Sequence, residues 1–148
     1  MNTETKTETE TETKTNLVAW NGETYKGAGD WFDKFKNDPE YTEYTEDLNA
    51  DEILRLALFA YNGAWGLVPE DMPLFISQEQ DSFRGEAESE EEFTREIIEE
   101  MGYMSKDTPS WVVIDYQRTW DSALRYDFFE YRVIDIDGNY RQFFWWNH

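Results

Sequence analysis

The side chains of this chain that could do chemistry are almost all carboxylates. Asp and Glu number 33 against 13 Lys and Arg, with one His and no Cys, over 148 residues. Two carboxyls can work as general acid and base, and a glycosidase needs them about 5 to 10 Å apart across a cleft. With so many acids, the mere existence of a pair selects nothing. The absence of Cys removes thiolate nucleophiles, disulfides and cysteine zinc sites. His148 is the last residue, so Ser-His triads and His-ligated metals have little to draw on within the chain. Asp135-Ile136-Asp137-Gly138-Asn139 has a passing likeness to a calcium loop, but its glycine comes two positions too early and Trp146 stands where the bidentate Glu belongs. A hairpin turn accounts for Asp-Gly. The expectation is a protein with no catalytic residue, no metal and no cofactor.

What remains is the charge itself. The formal net charge is -20 and the pI about 4.2, so the chain would repel nucleic acid, whose binding relies on clustered Lys and Arg. The opening residues 1–16 carry almost nothing but Thr, Glu and Lys, and are expected to form a disordered tail. The acidity therefore belongs to the rest. Six glutamates from Glu90 to Glu100 would occupy about 16 Å of helix, one charge per roughly 2.7 Å. Duplex DNA carries one per roughly 1.7 Å with both strands counted. A globule of the remaining length would be about 36 Å across, a span over which DNA carries about 21 phosphates. The protein nearly matches the charge of the DNA it could replace.

The elements that must hold those charges are legible in part. An aromatic content of 18% argues for a packed core, and the class is α+β. Leu17 to Trp20 reads as a strand entering a turn at Asn21-Gly22, and Trp31 with Phe35 suggests a short helix over 30–36 that ends before Pro39. Residues 49–62 have the capping-box pair Asn49 and Glu52, and so few polar positions that a buried central helix is expected. Pro69 and Pro73 predict a loop over 65–76. Residues 89–101 form the clearest element, an acidic amphipathic helix capped by Ser89 and stopped by Gly102. Phe93, Ile97, Ile98 and Met101 lie on one side and glutamates on the other. Trp111 to Ile114 reads as a short strand, Asp115 as the cap of a second amphipathic helix, and 128–146 as an antiparallel hairpin turning at Asp137-Gly138. The organisation expected is a tail at 1–16, an N-terminal α+β region at 17–80 and a C-terminal acidic domain at 81–148. No run of about 18 apolar residues and no signal-peptide pattern is present, which predicts a cytoplasmic protein with no membrane partner.

The C-terminal half carries Phe83-Arg84-Gly85-Glu86, Ser89-Glu90-Glu91-Glu92-Phe93 with Glu96-Ile97, then Ile114-Asp115-Tyr116, Ala123-Leu124, Tyr126-Asp127-Phe128, and Gly138 with Tyr140 and Phe143-Phe144. In this order, and with this acidity, residues 81–144 resemble the ArdA-type antirestriction proteins, acidic mimics of B-form DNA carried by plasmids, transposons and phages. Gly29-Asp30-Trp31-Phe32-Asp33 is similar to an early segment of that family. The resemblance implies a non-enzymatic inhibitor in a bacterial host cell, elongated and dimeric. It would occupy the DNA-binding groove of a type I restriction-modification enzyme, at its methyltransferase core, or of another DNA-binding protein.

On that reading the phosphate substitutes are Glu86, Glu88, Glu90, Glu91, Glu92, Glu96, Glu99 and Glu100, extended by Asp115, Asp121, Asp127 and Glu130, with Asp115 equally suited to capping a helix. A second reading is a regulatory or assembly module that binds through aromatic surface. Phe143, Phe144, Trp145 and Trp146 place bulky rings on both faces of one strand, and a homodimer contact would cover the second face. A third is a small glycan-processing enzyme, which requires a cleft with two close carboxyls and a strongly raised pKa.

Overall fold

The computed structural model describes residues 15–63, 66–102 and 107–147. It is α+β, with a four-stranded antiparallel sheet in the order β1-β3-β4-β2. The strands are β1 (Val18–Ala19), β2 (Phe83–Glu86), β3 (Phe128–Ile134) and β4 (Tyr140–Trp146). Two compact units result: one holds the chain up to Asp81 together with Val133–Tyr140, the other Ser82–Arg132 together with the residues from Arg141 onward. The first unit takes in the chain only to Asp81 before the hairpin segment. The C-terminal segment is not a single block, however, because the tip of the terminal hairpin joins the first unit.

In the first unit, α1 (Lys26–Asn37) packs on α3 (Ala50–Gly63) and on α2 (Pro39–Thr45). The helix around Trp31 and Phe35 thus begins earlier than its aromatic spacing suggested, and Gly27 and Gly29 lie inside it. Gly29 is needed there because a Cβ would come within 2.3 Å of the Thr15 carbonyl oxygen. Thr15 is held in turn by Asp33, which accepts from its backbone N–H at 2.8 Å and its hydroxyl at 2.6 Å. Of the expected tail, residues 1–14 lie outside the described residues, while Thr15 is tied to the fold.

The chain does not stay irregular after α1. Asp38 accepts from the Glu40 N–H at 3.0 Å and Pro39 occupies the first helical position, where a missing N–H costs nothing, so α2 starts at once. Asn49 and Glu52 exchange the two hydrogen bonds of a capping box at the start of α3, 2.8 and 3.2 Å long. Its Ile53, Leu54, Leu56, Ala57, Leu58 and Ala60 are buried, and Phe35 lies in edge contact with Tyr41 and tilted against Phe75. The expected loop over 65–76 is corrected: a 3-10 turn (Pro69–Asp71) leads straight into α4 (Met72–Ser82), both prolines falling in first turns. Along α4 the buried positions are Met72, Phe75, Glu79 and Ser82, a helical spacing disguised by two polar members. Glu79 is buried against Arg55, which grips it with two hydrogen bonds of 2.8 and 3.1 Å.

In the second unit, α5 (Glu90–Glu100) packs on α6 (Tyr116–Ser122), and the core beneath them is Ala87, Phe93, Ile97, Trp120, Phe128 and Phe144. Phe93 stacks on Phe144 with centroids 4.0 Å apart and an interplanar angle of 3°. The opposite face of β4 holds Phe143 and Trp145, covered by Phe83, with Phe129 stacked on Trp145 at 5.2 Å. Pairing of β2 with β4 slips between Phe83 and Gly85, and Gly85 takes the positive φ of 141° at that irregularity.

This packing corrects two expectations. Phe143, Phe144 and Trp145 are buried within the chain on both faces of their strand, so they offer no dimer surface; Trp146 alone is partly open, with the Arg84 guanidinium 5.5 Å over its ring. Trp111 to Ile114 forms no strand. The Val112 N–H closes a turn on the Pro109 carbonyl at 3.0 Å, and Trp111 and Val113 stand 79% and 90% exposed.

Candidate functional site

The twelve carboxylates singled out in the sequence all belong to the second unit, and the acidic helix is built as its residues dictate. Ser89 Oγ accepts from the Glu92 N–H at 3.0 Å; Glu92 reaches back to the Glu88 N–H at 3.4 Å rather than to that of Ser89. Phe93, Thr94, Ile97 and Ile98 are buried, and the Thr94 hydroxyl donates to the Glu90 carbonyl at 2.8 Å. Met101, expected on the packed side, is exposed.

The face turned away from this core carries Glu91, Glu96 and Glu99, all exposed, with Glu92 half-buried beside them, exposed Glu88 just before the cap, and exposed Arg95 as the one base among them. Glu91 to Glu99 spans about 12 Å of helix axis. Burial raises the pKa of Glu96, and so does the negative charge of Glu92; Arg95 opposes them, and Glu99 and Glu100 add smaller upward effects. The face repels itself. Glu99 and Glu100 also sit at the helix C-terminus, whose last turn holds no basic residue, although cations are favoured there.

Four other positions have partners through their side chains, and a fifth through its backbone. Glu86 is bridged by Arg141 through two hydrogen bonds, the longer 2.8 Å. Glu100 lies 3.8 Å from Arg84. Asp115 caps α6, accepting from the Arg118 N–H at 3.0 Å, so its structural role is established. Asp121, exposed, accepts from Gln117 at 3.1 Å. Asp127 is exposed, and its backbone carbonyl accepts from the Asn147 N–H.

Glu90 and Glu130 correct the sequence reading. Glu130 projects from β3 beside the apolar core, is hydrogen-bonded to Glu90, accepts from Gln142 at 2.9 Å and lies in an ion pair 3.5 Å from neighbouring Arg132. Burial, then the hydrogen bond and negative charge of Glu90, push its pKa up to about 8. Of the pair it is the carboxyl that favours the proton, which makes it a poor substitute for a phosphate. Burial acts to raise Glu90 as well. Hydrogen bonds from Glu130 and Gln117, with the charge of Arg132 at 3.2 Å, outweigh it and leave Glu90 below the ordinary value. The pair shares one proton and one negative charge, half withdrawn from solvent.

A groove of about 330 Å³ lies at the start of α5, lined by Glu88, Ser89, Glu91, Glu92, Arg95 and Tyr116. The raised carboxyl, Glu130, does not line it, and it touches Glu90 directly, which leaves no room for a sugar linkage between the two. Among the described residues no three carboxylates converge to hold a metal ion. Asp135 accepts from the Asp137 and Asn139 N–H groups, both at 2.9 Å, as a hairpin turn requires. Among the described residues no helix is long and apolar enough to cross a membrane.

Sequence reasoning missed a second acidic stretch. From Glu40 to Asp51, in the first unit, stand Glu40, Glu43, Glu46, Asp47 and Asp51, all exposed, with no Lys or Arg among them. The second unit has thirteen acids against seven bases, leaving twenty of the 33 acids and six of the 13 bases to the rest of the chain. Counting charge by segment, rather than looking for one amphipathic helix, would have found it. No family model, curated protein or solved structure matches this chain.

Proposed function

We propose that this protein is a DNA mimic that inhibits a type I restriction-modification enzyme by occupying the DNA-binding groove of its methyltransferase core, in the manner of the ArdA-type antirestriction proteins it resembles. The observation that carries the reading is the exposed carboxylate row Glu91, Glu96 and Glu99, with Glu88 just before the cap, on a helix fixed by a stacked aromatic core. Self-repulsion among these groups costs stability, and the basic groove of a DNA-binding enzyme relieves it. The exposed acids from Glu40 to Asp51 supply a second run of phosphate-like charge. Glu130 is withdrawn from the set, and Asp115 and Glu90 contribute charge while serving the fold.

The test is a competition titration of the methyltransferase core on a labelled duplex containing its site, at low and high salt. The protein displaces the duplex stoichiometrically at low salt, and far less well at high salt. Replacing Glu91, Glu96 and Glu99 together by Lys lowers the apparent affinity by at least 100-fold while circular dichroism stays unchanged. A folded triple variant that competes like the wild type removes this face from the mechanism.

A further inference from the structure

Charge alone would make this protein an equal match for any basic groove, so a partner-selecting contact should be sought among uncharged groups beside the carboxylates. Among the described residues of the second unit, Met101 is exposed singly and Tyr126 is engaged by Arg125, whereas residues 111–113 expose a contiguous apolar group. Trp111 and Val113 are 79% and 90% exposed, and Val112 joins them at 38%. The turn from Pro109 to Val112 presents them, and Asp115 caps the helix that follows. Tyr116, the first residue of that helix, lines the same groove as Glu88, Glu91 and Glu92. The apolar tip is therefore tethered within a few residues of the carboxylate row.

Charge decides what can cover it. Asp107 and Asp115 bracket the segment, with Lys106 just before it and no Lys or Arg inside it, in a chain whose formal net charge is -20. A second copy of the chain would bring like charge against like, and nucleic acid or an anionic lipid surface meets the same repulsion. A cationic protein surface does not. Trp is among the commonest residues to dominate binding energy when it enters a desolvated socket, whereas rim charges govern encounter and salt dependence.

We propose that Trp111, supported by Val113, is the apolar anchor that seats the acidic unit on a cationic protein surface with an adjoining hydrophobic socket. This rests on the inhibitor reading for the partner's identity, the methyltransferase core. The test measures association and dissociation rates on that core, at two salt concentrations, for the wild type, Trp111→Ser, Val113→Ser and the Glu91, Glu96, Glu99 to Lys triple variant. Trp111→Ser should dissociate at least tenfold faster at both salts, Val113→Ser less so, with association within about twofold of wild type. The triple variant should instead lose association rate and salt dependence. Wild-type dissociation from Trp111→Ser overturns the anchor and leaves mimicry standing. Loss of binding by Trp111→Ser with an unaffected triple variant keeps the anchor and overturns mimicry. No binding by the wild type overturns both. Sedimentation of the same variants completes the test, since a dimer that Trp111→Ser dissolves would assign the tip to self-association and overturn the proposal.

Discussion

Glu130 illustrates how one residue type can serve opposite ends a few ångströms apart. Its neighbour Glu90 keeps a negative charge, while Glu130 is pushed up to about 8 by burial first and by Glu90 second. The ordinary value is 4.5, so between that and about 8 the folded state holds a proton that the unfolded chain has released. Stability must then fall as pH rises through this window. Glu90, shifted the other way, contributes stability that is lost only as pH falls through its own lowered value, outside the window. In urea unfolding between pH 5.5 and 8.5, the wild type should lose stability as pH rises, and Glu130→Gln, neutral throughout, should lose much less. Equal slopes for the two proteins would show that the pair does not share a proton.

At the scale of elements, α5 combines an N-terminus suited to its charges with a C-terminus that is not. Glu90, Glu91 and Glu92 fill the first turn, where the helix dipole favours them, and Glu99 and Glu100 fill the last, where it does not. Neutralising Glu96 and Glu99 together to Gln should stabilise the protein by about 1 kcal/mol while weakening inhibition. A double variant that loses both stability and inhibition would instead give these acids a structural role. The helix was readable because its signals are local: Ser89 before an acidic turn, apolar residues at helical spacing, Gly102 at the stop. The terminal hairpin was readable for the same reason. The loop expected at 65–76 failed because α4 buries Glu79 and Ser82 alongside Met72 and Phe75, and only the partner Arg55, far off in sequence, makes Glu79 a core residue. The strand expected at Trp111 to Ile114 had the right residues but pairs with no strand among the described residues. Among the site residues, exposure of Glu91, Glu96 and Glu99 followed from periodicity, whereas the withdrawal of Glu130 depended on tertiary neighbours that no spacing reveals.

At the scale of the whole molecule, the net charge of -20 sets salt against itself. Screening relieves repulsion inside the protein and weakens attraction to a basic partner. Raising ionic strength from ~20 mM to ~200 mM should therefore raise the melting temperature, by several degrees, and lower affinity for the methyltransferase core in parallel. A melting temperature indifferent to salt would mean that the carboxylates are already compensated within the fold. The division of the chain has a consequence for synthesis. Val133 and Ile134, partners of Ala19 and Val18 in the first unit, are supplied by a hairpin whose stem belongs to the second. On the ribosome, the N-terminal unit emerges early but must wait for that hairpin before its edge strand can pair. A chain halted just after Asp81 would hold the four helices α1 to α4 and an unpaired edge, the kind of nascent species that depends on chaperones until translation resumes.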